Sequence, residues 1–186
     1  MDERALDRED PTANDDETHH LCNALVALGE GKAAVDLLRG KVKAARSSLP
    51  GTSPALLRLL SVYAEILEST DALAEAEFIR TEALEIVAST QTASQNAIDA
   101  FLKHGLLLCK MHDYDGAVTK LKEAVRRTEE LDSLGALQQQ IILAEAWRGQ
   151  AQAFEALGEF SQASDALDAL LNVKRKIRFI VFSMVS

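Results

Sequence analysis

The sequence is poor in residues that break or cross-link a chain. Its 186 residues include three prolines, two cysteines and one tryptophan, and aromatics make up 5%. With few enforced breaks and an abundance of Ala, Leu, Glu and Lys, helices are favoured over strands. The two cysteines, Cys22 and Cys109, are expected to act as small buried hydrophobes rather than as a disulfide. No apolar run approaches the roughly 18 residues of a membrane span. The start is acidic, without the basic and apolar regions of a secretory signal. The expectation is therefore a cytoplasmic or nuclear chain.

Chemistry has little to stand on. A glycine-rich phosphate loop, H-E-x-x-H, C-x-x-C and G-x-S-x-G are all missing, so the usual phosphate cradles, zinc sites and nucleophile elbows have no candidate. His19, His20 and Cys22 come nearest to a metal cluster, but on a helix His19 and Cys22 would supply only two ligands. No catalytic residue, cofactor or metal is expected. A net charge of −9 argues against general nucleic-acid affinity, which depends on clustered Lys and Arg.

What the chain does have is a four-fold recurrence. Cys22 and Ala34, Ala64 and Ala76, Gly105 and Ala117, and Ala151 and Ala163 are pairs of small residues, each twelve apart. Such periodicity marks a unit that must stack on its neighbours to bury its apolar face. Small residues fit where two helices of a hairpin cross at close range. The predicted helix pairs are 17–28 and 31–47, 54–69 and 72–88, 93–110 and 113–130, and 134–157 and 160–174. Ser53 followed by Pro54 reads as a helix start. Gly29, Asp71, His112 and Gly158 fall at the turn within each pair.

Large residues flank the small ones: Leu60, Tyr63, Ala64 and Leu67; Phe101, His104, Gly105 and Leu108; Trp147, Gln150, Ala151 and Phe154. This spacing resembles the tetratricopeptide repeat (TPR), with its W-x-x-L-G-x-x-Y first helix. The stretch from Ala76 to Ile86 is similar to the second helix of kinesin light chain repeats. The steps from Ala34 to Ala76, Ala117 and Ala163 are 42, 41 and 46, against about 34 in the standard repeat. Lys41 and Arg80 depart from the pattern, each occupying an apolar place in a second helix. The resemblance implies an all-α, right-handed α-solenoid of about four TPR-like repeats over 17–172.

It also implies a concave groove lined by the first helices. Carried onto this chain, the groove positions are His19, Asn23, Val26, Arg58, Ser61, Glu65, Glu68, Lys103, Leu106, Lys110, Arg148, Gln152 and Glu155. Lys103, Lys110 and Arg148 form a cationic group that would receive an acidic side chain or carboxylate of a protein or peptide partner. The carboxylate clamp of chaperone-tail-binding TPR proteins is not matched, since His19, Asn23, Val62, Asp99 and Lys103 stand at its places. The asparagine ladder of kinesin light chains is replaced by His20, Val62, Lys103 and Gly149.

Two flanks differ from the repeats. Residues 1–16, rich in acids, read as a disordered leader. Residues 173–186, basic and then apolar, read as a cap on the fourth repeat, a dimer contact, an altered terminus or a membrane-touching tail. The leading functional reading is a scaffold or adaptor that binds a partner peptide or helix. The alternative is a structural subunit that forms a homo-oligomer through its ends and residues 173–186.

Overall fold

The computed structural model describes residues 15–90 and 94–185. Most of the acidic leader lies outside the described residues. Eight helices are present among the described residues: α1 (Asp15–Ala27), α2 (Gly31–Ser48), α3 (Pro54–Ser69), α4 (Leu73–Thr90), α5 (Gln95–Lys110), α6 (Tyr114–Glu130), α7 (Ala136–Ala156) and α8 (Phe160–Val185). They fall into two compact units, Met1–Ser89 and Thr90–Ser186.

The small pairs sit where they are needed. Cys22, Ala34, Ala64, Ala76, Ala117, Ala151 and Ala163 are all buried, as is Gly105. The Cys22 thiol reaches the carbonyl oxygen of Ala34, its partner twelve residues on, at 3.9 Å. At Gly105 a Cβ would lie 2.7 Å from Leu121 Cγ and 3.2 Å from the Leu121 backbone nitrogen. The α5–α6 crossing therefore needs glycine for lack of space. Around these crossings, Leu38, Leu60, Leu67 and Ile66 fill one unit, and Leu107, Leu121, Ile142 and Phe154 the other. Burying each such side chain contributes roughly 1.5–3 kcal/mol.

The turns repeat with the crossings. Gly29, Asp71, His112 and Gly158 have φ of 82°, 62°, 63° and 77°, so each hairpin reverses through one left-handed residue. Two of the four are not glycine, and His112 Nδ1 is tied to the Tyr114 hydroxyl at 2.7 Å. Ser53 occupies the N-cap of α3, but its side chain makes no capping bond. Ser94 caps α5 through the amide of Ala97, and Asp113 caps α6 through that of Gly116.

One helix end departs from the sequence reading. The last helix continues to Val185 instead of stopping near residue 174. Ala163, Ala166, Leu170 and Val173 are buried, and Ile177 packs against the same core. These positions advance by alternating steps of three and four, which keeps one face of a helix turned toward α7. The change of composition at Val173 therefore lies inside a helix, not at its end.

Candidate functional site

The candidate surface is built on the first helix of each pair. Within the first unit α1 packs beside α3, and within the second α5 packs beside α7. The groove positions near each buried crossing residue lie on the flank of the packed stripe. None of the eleven principal groove positions is buried: Asn23, Arg58, Lys110, Arg148, Gln152 and Glu155 are exposed, and His19, Ser61, Glu65, Lys103 and Leu106 are half-buried.

In the first unit the structure joins His19 to Glu65, Nε2 to Oε2, at 3.5 Å across α1 and α3. Ser61 and Glu68 are held from the neighbouring α4. Arg80 donates to Glu68 Oε1 from Nη2 at 2.8 Å and from Nε at 3.2 Å, and to Ser61 Oγ at 3.4 Å. Arg80 is only 3% exposed. A cation in an apolar place of the repeat thus enters the hairpin with its counter-charge, as burial of a charge requires. The other departure, Lys41, donates to Thr18 Oγ1 at 2.6 Å.

In the second unit Leu106 leans on the core. A Cβ at Gly149 would lie 3.0 Å from Leu106 Cδ2 and 2.8 Å from Leu121 Cδ1. Leu106 is thus a packing residue as much as a surface one. Lys103, Lys110 and Arg148 are on α5 and α7, with Gln152 and Glu155 farther along α7. Gln150 is buried where the repeat pattern has a large apolar residue, and its Nε2 has no acceptor among the described residues.

Several polar networks were not read from the sequence. Arg39 reaches both carboxylate oxygens of Glu75 at 3.2 Å, and Arg46 pairs with Glu82. Both pairs span 36 residues, six short of the 42-residue step between Ala34 and Ala76. They lace α2 to α4 in one register. Glu75 also accepts from the Tyr63 hydroxyl at 2.5 Å, which holds its carboxyl below the ordinary range. Burial and then the Glu75 carboxylate push the Tyr63 phenol up to about 12. On α6, Glu123 accepts from Arg126 at 2.5 Å and Arg127 at 2.7 Å, and Arg126 chiefly lowers its carboxyl to about 2. Within α6 the signal was complementary charge at three- and four-residue spacing; between α2 and α4, charge alone does not say which acid an arginine reaches.

Burial raises the thiols of Cys22 and Cys109. Among the described residues no group of three or more His, Cys, Asp or Glu could hold a metal. No helix among them is long and apolar enough to cross a membrane.

Paired helices, small residues at each crossing and one left-handed residue at each turn define an all-α, TPR-like solenoid fold. Solved structures agree. BtubC (BKLC) from P. vanneervenii superposes with a TM-score of 0.77 at 16% identity, covering 94% of this chain and 68% of its own. The Podosopora anserina putative kinesin light chain with nearly identical TPR-like repeats gives 0.62 at 16% identity, covering 90% of this chain and 98% of its own. A second crystal structure, of a substituted form of that protein, gives 0.64 at 16% identity, covering 91% and 98%. Neither a family model nor a curated protein sequence matches the chain.

Proposed function

We propose that this chain is a protein-interaction scaffold whose first-helix faces receive a peptide or helix of a partner. The observation that carries this reading is the contrast along those helices. Every crossing residue is buried, whereas the groove positions near it are exposed or half-buried. In the second unit Lys103, Lys110 and Arg148 bias that face toward an acidic segment, which charge-assisted hydrogen bonds would hold. A preformed helical face needs little rearrangement on binding.

Selection of a displayed peptide library on the full chain tests the proposal. Acidic sequences should be enriched, and Lys103→Glu with Arg148→Glu should weaken the selected peptides by about tenfold or more. Equal binding by the double variant would reject the face. The second reading, self-association through the ends and residues 173–186, draws on exposed apolar residues of α8 such as Leu171 and Phe179. Light scattering of the full chain across concentration distinguishes it, since an adaptor stays monomeric and a structural subunit does not.

A further inference from the structure

The second half of α8 combines two properties that neither the core nor the first-helix faces explain. From Ala169 to Val185 it contains Lys174, Arg175, Lys176 and Arg178 and no acid. Beyond them Phe179 is 74% exposed, Phe182 73% and Met184 72%. At about 100° per residue the four cations span an arc of about 200°, with Lys174 and Arg178 on one side, a partial collar over the face left free by Val173 and Ile177. None of them has an ion pair or side-chain hydrogen bond among the described residues. The facing turns of α7 carry Gln138, Gln139 and Gln140, all neutral, and its N-cap Gly135 supplies no side-chain cap.

A hollow of about 360 Å³ lies between these elements, lined by Gln140, Arg175, Lys176, Phe179 and Ile180. Gln140 is 7% exposed, and its Oε1 has no donor among the described residues. The walls of the hollow are almost wholly the apolar parts of these side chains, Phe179 and Ile180 among them. That suits an acyl chain, with the exposed charged ends of Arg175 and Lys176 left for phosphates at the surface.

We propose that this half of α8 docks on an anionic lipid bilayer, with the collar at the level of the phosphates and the apolar residues beyond it in the interfacial layer. The axial order fits. Lys176 and Met184 are separated by about 12 Å of helix, so the cations and the apolar residues reach successive levels of a headgroup layer. Basic clusters on such helices are attracted to anionic leaflets. An acidic peptide would satisfy the cations but leave the apolar residues in water. A second copy would bring two four-cation collars together.

The test is flotation of the full chain with phosphatidylcholine vesicles, with and without phosphatidylserine. Binding is expected with phosphatidylserine and should be at least about tenfold weaker without it. Arg175→Glu with Arg178→Glu should cause a comparable loss, and so should Phe179→Ser with Met184→Ser; both pairs are exposed, so helical circular dichroism should stay unchanged. Failure to float with either vesicle overturns the proposal, as does equal flotation with both or flotation that neither variant pair alters. It is also overturned if light scattering shows an oligomer that the serine variant dissolves, because a second copy then covers these residues.

Discussion

Arg80 holds Glu68 at 2.8 Å within the α3–α4 hairpin, with both side chains largely withdrawn from water. Breaking one side of a buried pair leaves the other charge uncompensated, at a cost of roughly 3 kcal/mol. Glu68→Gln should therefore lower the denaturant midpoint more than the same change at exposed Glu130. Arg80→Leu, which restores the apolar repeat residue, should cost less when combined with Glu68→Leu than when made alone. A double-mutant cycle by urea unfolding checks this, and additive effects would show that the pair is not coupled.

Gly105→Ala places a methyl group against Leu121 at a distance that real Cβ atoms do not tolerate. The helix-propensity gain of about 1 kcal/mol is opposed by overpacking of about 1–3 kcal/mol. The expected outcome is a lower melting temperature, read by circular dichroism. A rise would mean that α5 and α6 can part at little cost.

Acid should loosen the end of α6. The Glu123 carboxyl sits at about 2 in place of its ordinary 4.5, chiefly through Arg126. A depressed carboxyl contributes stability that is fully present above its unfolded value and lost as pH falls through the folded one. The window is thus from about pH 4.5 down to about 2. Glu123→Gln should flatten the stability profile in that window, with a modest effect because the group is partly exposed. An unchanged acid profile would remove the pair from the stability of α6.

Shortening the chain after Asn172 removes Val173, which is buried, and Ile177, which leans on the same core. Loss of this burial, about 2–4 kcal/mol, should lower the melting temperature by several degrees. Shortening after Arg178 retains both residues and should change little. Equal stability of the two forms would show that α8 gains nothing from its contact beyond Asn172.

The repeat was legible because crossings and turns are local demands on residue type. Ala34, Ala76, Ala117 and Ala163 recur at similar steps, and a left-handed turn residue precedes each by five. The path of α8 was harder to read, since valine, isoleucine and phenylalanine after Val173 look like a strand or loose tail. The continuing three-four spacing through Val173 and Ile177 carried the correct signal. Arg39 finding Glu75, or Arg80 finding Glu68, depends on which side chains meet across helices. Charge alone leaves many acids eligible, so these pairs emerge only from the packed structure. The candidate groove came from the resemblance, and the sequence held no sign that Ser61 and Glu68 are engaged by Arg80.

One leucine fills the gap left by two glycines. Leu121 on α6 comes against the missing side chains of both Gly105 on α5 and Gly149 on α7. The three positions form a single lock shared by three helices, and they limit the order in which the chain can change. An alanine at either glycine crowds Leu121 while it remains; a smaller residue 121 relieves that contact, leaving the Leu121 backbone nitrogen 3.2 Å from a Cβ at Gly105 and Leu106 Cδ2 3.0 Å from one at Gly149. A shrunken residue 121, in turn, leaves a void until a glycine is replaced. A lineage could cross between the two arrangements only through a weakened intermediate, so these distant positions should change together or not at all.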